Sequence, residues 1–359
     1  MTHDQQLPIR PMQDGDRAAV RAVAHRSFPL LQRPFFSFGT HNLIAESDGA
    51  ILGGIVLKVF PMSGGRRGGL VSWIFTAPEA RGRGVGQALT DAGLALLREE
   101  GCDEVFASVE GYNASSNKLW ATRGFTPLSL RQQVQRFGAS LPAVWYHTFH
   151  MFDIGHFLWA LPAGDDRGEN PTAEWWMNAA INVLLMLIAV WRGSRLEAEM
   201  VALVPAVLAI YGARQWAMSW AARREGLVMR FRAWESAYPL SAAIALLLAG
   251  VFPLPGNLYP VRHDWRFSEE APRLGRMATA GGAAVLLVGW LILAVTRWAA
   301  PPAAADWLGY GVMVAKNMAF FDLVLIFFPF SCFNGRLIFA WNRVVWAVMA
   351  ALGLALFLI

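Results

Sequence analysis

The sequence predicts an α+β domain, with a mixed, mostly antiparallel sheet and flanking helices, followed by an all-α polytopic membrane domain. Three observations predict this architecture. The 359 residues are 55% hydrophobic and only 16% charged, whereas a soluble domain carries about a quarter charged residues. The first part of the chain has recurring charges, Gly and Pro, and no apolar run of the ~18 residues that a membrane span requires. Long apolar runs follow only in the second part.

Composition also excludes several classes of protein. The two cysteines, Cys102 and Cys332, lie in segments of different character and allow neither a disulfide framework nor a CxxC zinc site. The net charge of +5 comes largely from arginine. No run of basic residues interleaved with exposed aromatic residues accompanies it, so we expect no nucleic-acid partner.

The change in hydropathy predicts three segments. Residues 1–135 form the α+β domain, residues 136–172 an interfacial aromatic linker that includes the helix-like stretch WYHTFHMFDIGHFLWALP, and residues 173–359 the membrane domain. The polar start, MTHDQQLPIRPMQDGD, has no features of a signal peptide. We therefore expect a multi-pass membrane protein whose N-terminal domain is cytoplasmic.

The strongest local pattern is VSWIFTAPEARGRGVGQALTDAGLALLREEG at 71–101. It predicts a strand, a turn after Pro78, and a helix from Gln87 to Glu99. Glycines in the turn let the main chain approach a ligand closely, and the helix N-terminus adds a positive dipole. The pattern therefore predicts a cradle for a diphosphate, although a plain glycine-rich turn is the alternative.

A second pattern, VFASVEGYNASSNKLWATRGF at 105–125, predicts a strand, a short helix that begins near Asn113, and Gly124-Phe125 before another strand. Together the two patterns resemble the Gcn5-related N-acetyltransferase (GNAT) family over about residues 1–130. The residues that carry the resemblance are Pro78, Arg81, Gly84, Gly86, Asn113, Leu119, Gly124 and Phe125, with Arg10-Pro11 and Asp16 near the start.

The resemblance implies a GNAT fold and acetyl-CoA as cosubstrate. By it, the amides from Gly82 to Gly86 would hold the pyrophosphate, Thr76 would mark a splayed strand that pairs with pantetheine, and Asn113 would contact the cofactor arm. The candidate cofactor-binding residues are Thr76, Arg81, Gly82, Arg83, Gly84, Val85, Gly86 and Asn113.

Catalysis in that family implies a base for the substrate amine and commonly a Tyr that reprotonates the thiolate. The position of that Tyr, seven after Asn113, holds Trp120, and an indole N–H is no acid near neutral pH. Tyr112, Cys102 or water are open alternatives. The candidate bases are Glu110, at the end of its strand, and Glu46 or Asp48, near a hairpin; for each of them the sequence favours a solvated turn carboxylate over a base.

The second part of the chain resembles the membrane metalloproteases of the site-2 protease family over about 195–345. The resemblance rests on four segments: ARQWAMSWAARREGL, then FRAWESAYPL with PLPGNLYPV, then LGRMATAGGAAVL, and last NMAFFDLVLIFFPFSCFNGRLIFAWN. The positions that bind the metal and catalyse the reaction in that family hold other residues in this sequence. The places of HExxH and of the LDG aspartate hold Arg214, Gln215, Met218 and Asn334.

Those substitutions predict no bound metal and no proteolysis, because zinc requires imidazole, thiolate or carboxylate ligands. The small residues Gly256, Gly281, Gly282 and Gly335 remain, and small residues let membrane helices approach closely. Arg214 either snorkels at the bilayer boundary or forms, with Gln215 and Asn334, a polar pocket that binds a headgroup or a peptide.

Arginine placement predicts the topology. If every apolar run crosses the bilayer, most loop arginines lie outside, against the positive-inside tendency. If 236–254, which contains Pro239 and Pro253, dips in and returns, most of them lie inside. We therefore predict about five spans and one re-entrant segment.

The sequence thus predicts a membrane-anchored N-acetyltransferase that acts on an unidentified primary amine, with the bilayer and a membrane protein or peptide as further partners. The alternative is a pseudoenzyme that senses acetyl-CoA and regulates a membrane partner.

Overall fold

The computed structural model describes residues 7–164, 170–193 and 198–359. The helices and strands in the first part of the chain are β1 (Ile9–Pro11), α1 (Arg17–Ser27), β2 (His41–Ser47), β3 (Ala50–Pro61), β4 (Arg67–Thr76), α2 (Val85–Glu99), β5 (Glu104–Glu110), α3 (Ala114–Ala121), β6 (Thr126–Pro127), α4 (Leu130–Phe137), α5 (Leu141–Thr148) and β7 (His156–Leu161). The remainder contains α6 (Pro171–Gly193), α7 (Leu203–Arg224), β8 (Met229–Arg232), α8 (Tyr238–Leu248), β9 (Asn257–Pro260), α9 (Phe267–Trp298), α10 (Pro302–Ala319), α11 (Asn334–Trp341) and α12 (Arg343–Leu358).

Contacts divide these residues into two units. Those within 1–109, 119–150 and 157–166 form the N-terminal unit, and those within 110–118, 151–156 and 167–359 form the C-terminal unit. The end of β5 with most of α3, and the segment 151–156 up to the start of β7, thus cluster with the C-terminal unit.

A seven-stranded sheet in the order β1-β2-β3-β4-β5-β7-β6 organises the first part of the chain. The first four strands pair antiparallel, and β4 and β5 pair in parallel. Helix α2 buries Val85, Leu89 and Leu97 on one face, at the spacing of an amphipathic helix. This mixed sheet with flanking helices confirms the predicted fold class.

Strand β7 corrects the predicted linker. The aromatic stretch in 136–172 is not one interfacial helix: it forms the end of α5, a 3₁₀ turn at His150–Phe152 and then β7, which joins the sheet. Phe157, Leu158 and Trp159 are all buried, so the strand lacks the alternation that marks a half-exposed strand. The sheet therefore continues beyond the boundary predicted at residue 135.

The C-terminal unit is rich in apolar helices. Three helical stretches among the described residues are long and apolar enough to cross a membrane: Pro171–Gly193, Ala198–Arg224 and Phe267–Trp298. Helices α8 and α12 are apolar but shorter, and the run at 309–333 is not one helix, because α10 ends at Ala319 and a π-helical turn follows to Val324. The number of spans and the re-entrant segment stay predictions.

Two glycines of this unit lie in close contact with neighbouring segments, one with a side chain and one with a backbone carbonyl. A Cβ at Gly281 on α9 would lie 2.5 Å from Met218 Cγ of α7, and one at Gly335 on α11 would lie 2.7 Å from the carbonyl oxygen of Leu323. Larger side chains do not fit at these positions, as expected of close helix packing in membranes.

Candidate functional site: a glycine turn, a buried carboxylate and a buried ion pair

The turn that opens α2 has the backbone of an anion cradle. Gly82 and Gly84 have φ of 75° and 80°, a conformation that strains other residues. A Cβ at either glycine would meet nothing within 4 Å. The first bond into the helix runs from Ala88 N–H to Gly84 O at 3.0 Å, so the amides before Ala88 belong to the helix end that lacks intrahelical acceptors.

Side chains fix this turn without covering it. Val85 is 1% exposed and anchors α2 to the core, while Arg81 and Arg83 are exposed. A Cβ at Gly86 would lie 3.6 Å from Thr76 Oγ1, which places the first helical turn beside the end of β4. The turn thus offers amides and positive charge at an open surface, which suits a phosphate group.

Strands β4 and β5 separate next to this turn. Their parallel pairing runs from Gly68 opposite Glu104 to Val71 opposite Ala107, whereas β4 continues to Thr76 and β5 to Glu110. The hydroxyl of Ser72, just past the paired stretch, is buried and has no hydrogen-bond partner among the described residues. The end of β4 is therefore not paired with β5, and the pairing of Thr76 with pantetheine stays a prediction.

Asn113 opens α3 as predicted. Its side-chain oxygen accepts a hydrogen bond from Ser116 N–H at 3.1 Å, the pattern of a helix cap. Asn117, one turn later, donates to the Gly111 carbonyl at 2.8 Å. The Asn113 side-chain oxygen is thus used at the start of α3, and its contact with a cofactor stays a prediction.

Glu110 is a buried carboxylate at the end of β5. Its Oε2 accepts from Tyr112 N–H at 3.0 Å, and its Oε1 is buried with no partner in the described chain. Burial raises the pKa of Glu110 to about 7, against the opposing effect of His156. A carboxyl group with this pKa exchanges a proton near neutral pH, which is what a general base requires.

Glu46 has a different environment. It lies on β2 and forms an ion pair with Arg10 Nη2 at 2.6 Å, and Arg10 also pairs with Asp16 at 2.6 Å. Asp48 lies in the exposed turn that follows, where it accepts from Ser47 Oγ at 3.0 Å. The Glu46 carboxylate is therefore held in an ion pair with Arg10, whereas Oε1 of Glu110 has no hydrogen-bond partner among the described residues.

None of the alternative acids is free to donate. Tyr112 gives its hydroxyl hydrogen to the Leu258 carbonyl at 2.7 Å, and burial raises its pKa. Trp120 is 2% exposed and packs against Phe125.

Cys102 lies at the far end of β4. Its sulfur is 3.1 Å from a Cβ placed at Gly69, seven residues, or about 23 Å of strand, before Thr76. Burial also raises the pKa of the Cys102 thiol, so this cysteine does not serve the glycine turn.

Arg214 does not snorkel to the bilayer boundary, and that expectation is wrong. It is 1% exposed on α7 and donates from Nε and Nη2 to the two oxygens of Asp322 at 3.0 and 2.9 Å. Its Nη1 donates to the Gly256 carbonyl at 3.1 Å. A two-point contact with a carboxylate is among the strong hydrogen-bonded pairs and offsets the charge of a buried guanidinium.

Asn334 and Met218 belong to the same cluster, and Gln215 does not. Asn334 donates from Nδ2 to Asp322 at 2.9 Å and lies 3.5 Å from Met218 Sδ. Gln215 instead donates to Ser219 Oγ on its own helix at 3.3 Å. Arg214 and Asn334 therefore share a cluster around Asp322, and Gln215 does not join them in the expected pocket.

The donor set of this cluster does not suit a metal ion. The guanidinium of Arg214 carries no lone pair for a metal, and both Asp322 oxygens accept hydrogen bonds from it. In the part of the chain that the structure describes, no three or more His, Cys, Asp or Glu residues form a metal-binding group.

Sequence reasoning missed two features of these sites. Asp322 is an acid within the apolar run 309–333, and an acid in such a run signals a buried partner. The bond from Tyr112 to Leu258 joins residues 146 positions apart, and no local pattern indicates it.

Comparison with known proteins identifies one domain. The acetyltransferase (GNAT) family model matches residues 12–125. A mycothiol acetyltransferase of Beutenbergia cavernae is 40% identical over 88 residues, which cover 24% of this chain and 28% of that protein. The chain therefore spans less than a third of that relative's length.

Two other proteins match this chain with a lower sequence identity. A Methanocaldococcus jannaschii protein named as a candidate zinc metalloprotease is 25% identical over 129 residues, 36% of this chain and 63% of that protein. The crystal structure of a GNAT family acetyltransferase from Brucella melitensis in complex with acetyl-CoA is 25% identical, covers 33% of this chain and 82% of its own, and has a TM-score of 0.27. Residues 12–125 match the acetyltransferase (GNAT) family model, and the seven-stranded mixed sheet agrees with an acetyltransferase domain in this part of the chain.

Proposed function

We propose that this protein is a membrane-anchored N-acetyltransferase that transfers acetyl from acetyl-CoA to a primary amine. The observation that carries the proposal is the turn at Gly82–Gly84, whose left-handed glycines open α2 at an uncovered surface. It lies within a GNAT-family domain. Amides at a helix N-terminus bind diphosphate groups, so Gly82 to Gly86 hold the acetyl-CoA pyrophosphate, and the end of β4 at Thr76 pairs with its extended arm.

In the proposed reaction, the amine nitrogen bonds to the acetyl carbonyl carbon, and the bond from that carbon to sulfur breaks. One proton leaves the amine and one reaches the departing thiolate. Glu110 is the base, because its pKa is about 7 and its Oε1 accepts no hydrogen bond from any described residue. The thiolate takes its proton from water, since Tyr112 is bound to the Leu258 carbonyl and Trp120 lies in the core.

We propose further that the C-terminal unit anchors the acetyltransferase domain in the membrane, with that domain on the cytoplasmic side. We also propose that the C-terminal unit has no protease activity. Three apolar helices support the anchor. The ion pair of Arg214 and Asp322 supports loss of the metal, because it occupies groups that a metal would need.

The Glu110→Gln variant tests the base. We expect kcat to fall about 100-fold or more, with acetyl-CoA affinity unchanged. In the unaltered protein, the rate should rise with pH through a midpoint near 7, because only the ionised carboxylate accepts a proton. CoA release with a panel of primary amines between pH 5.5 and 9 measures both effects.

Glu46→Gln is the matched control for that experiment. It neutralises the other candidate base, which pairs with Arg10, and we expect the step near pH 7 to remain. Persistence of that step in Glu110→Gln, or its loss in Glu46→Gln, would contradict the assignment.

A second candidate function is an acetyl-CoA sensor that regulates a membrane partner. The buried position of Trp120 and the engaged hydroxyl of Tyr112 favour it, because neither side chain is placed to protonate a thiolate. Tight acetyl-CoA binding without CoA release for any amine in the panel would favour the sensor over the enzyme.

A further inference from the structure

The loop that follows β5 belongs to the C-terminal unit, although most of the sheet belongs to the N-terminal unit. Residues 110–118 and 151–156 cluster there with 167–359. The first of these segments begins with Glu110, the base of the proposed reaction, and we call 110–113 the base loop. The contacts of the base loop with the rest of the C-terminal unit therefore bear on the position of the base.

Tyr112 connects the Glu110 carboxylate to β9 by two hydrogen bonds. Its N–H donates to Glu110 Oε2 at 3.0 Å, and its hydroxyl donates to the Leu258 carbonyl at 2.7 Å. Its ring also lies against Tyr259 of the same strand, with the ring centroids 4.6 Å apart. Tyr112 is 5% exposed, and a buried polar group whose hydrogen bonds are satisfied makes its surroundings rigid. The position of the carboxylate therefore depends on β9.

A second set of contacts holds the base loop from the side of β7. Gly111 N–H donates to the Gly155 carbonyl at 3.1 Å. Gly155 lies directly against Cys332, because a Cβ at position 155 would overlap the Cβ of that cysteine. Nearby, Ser236 Oγ donates to the Asp153 carbonyl at 2.5 Å. The segment that receives the Gly111 amide is thus itself fixed by residues from later in the chain.

The electrostatic surroundings of the Glu110 carboxylate come from the same unit. The titratable and charged groups that act on it are Tyr112, His156, Tyr259, Cys332 and Arg336. Removal from water raises the pKa of Glu110 to about 7, and the positive charges of His156 and Arg336 oppose that rise. Because hydration would return the pKa toward about 4.3, the basicity of Glu110 depends on how well the base loop excludes water.

From these contacts we infer that Tyr112 is a positioning residue for the catalytic base: its hydroxyl, held by β9, fixes the amide that holds the Glu110 carboxylate and keeps water from it. The inference rests on the proposed function, in which Glu110 accepts the proton of the amine. Tyr112 itself transfers no proton. The part of the chain that contains Leu258 then has a role in the reaction, in addition to anchoring.

Tyr112→Phe tests the inference in the detergent-solubilised full-length protein. The substitution keeps the ring and the N–H and removes the bond to Leu258, so water reaches the carboxylate more often. We expect the midpoint of the pH–rate profile to fall by about one unit, part of the way toward the value of about 4.3 for a hydrated glutamate. The plateau of kcat should fall about fivefold, because a less basic carboxylate removes the proton more slowly. CoA release between pH 5 and 9 measures both.

Tyr238→Phe is the matched control. Its hydroxyl donates to Asn178 Oδ1 at 2.8 Å, so the substitution also removes one hydrogen bond within the C-terminal unit, but that bond connects α8 to α6. The midpoint should stay near 7. The midpoint does not depend on the amount of folded protein, so a partial loss of folding does not imitate its shift. If Tyr112 were the acid that protonates the thiolate, Tyr112→Phe would slow the reaction without moving the midpoint, and that result would overturn the inference.

Hydrogen exchange follows the base loop without any reaction. The amides of Gly111 and Tyr112 are hydrogen-bonded, so they should exchange slowly, and Tyr112→Phe should speed their exchange at least tenfold relative to Tyr238→Phe. Unchanged exchange, or a midpoint that moves equally in both variants, would overturn the inference alone. No CoA release with any amine, or a midpoint near 7 that persists in Glu110→Gln, would overturn the proposed function and the inference with it.

Discussion

Replacing Gly84 with glutamate should raise the dissociation constant for acetyl-CoA at least 100-fold, about 2.7 kcal/mol. Gly84 has φ of 80° and caps α2, so a side chain strains the turn by about 1–2 kcal/mol. The carboxylate would also extend into the open space in front of the turn, where we place the pyrophosphate, and like charges repel there. Isothermal titration calorimetry on the detergent-solubilised full-length protein measures the change.

Gly101→Glu is the matched control for this variant. Gly101 has φ of 70° and open space around it, and it follows the opposite, C-terminal end of α2, which ends at Glu99. Gly101→Glu therefore adds the same backbone strain and the same charge as Gly84→Glu, but at a position away from the glycine turn. We expect acetyl-CoA affinity within twofold of the unaltered protein. Equal losses in the two variants would mean that strain, and not the cradle, governs binding.

Removal of Asp322 should have the largest effect on stability. In Asp322→Ala, the buried Arg214 loses both carboxylate contacts, and breaking a buried ion pair costs about 3–5 kcal/mol. Asn334 loses its acceptor as well. Thermal unfolding of the full-length protein in one detergent, with unfolded fraction followed by near-UV circular dichroism, should show a clearly lowered transition.

Two comparisons separate the ion pair from a general effect of substitution. Glu225→Ala removes the acid of an exposed pair with Arg276, at 2.6 Å, and should cost about 1 kcal/mol or less. The double variant Arg214→Met, Asp322→Leu removes both buried charges, and we expect it to regain at least half of the lost stability. A cost for Asp322→Ala no greater than that for Glu225→Ala would contradict the buried pair.

The sequence predicts the elements that depend on local patterns. Helix α2, the strand before it and the glycine turn between them follow from apolar spacing and from glycines at 82 and 84, because one short segment contains all the determinants. The fold class follows similarly, from an uneven distribution of apolar residues and from family motifs, and the family match confirms it.

The features that sequence reasoning missed depend on contacts between distant residues. Arg214 lies at the end of an apolar run, which suggests an interface, but its partner Asp322 is 108 positions away. Strand β7 is buried along most of its length, so its aromatic residues do not alternate with polar ones. The raised pKa of Glu110 likewise depends on burial, which the position of a carboxylate after a strand does not reveal.

Hydrogen exchange of the amides from Gly82 to Gly86 shows whether this turn holds the pyrophosphate of acetyl-CoA. These residues lie in an exposed turn and at the first turn of α2, so their amides should exchange fast in the free protein. We expect acetyl-CoA to slow their exchange at least tenfold, and acetylpantetheine, which has no diphosphate, to leave it unchanged. Acetyl-CoA binding that leaves these amides unprotected, with protection only elsewhere, would contradict this placement of the pyrophosphate.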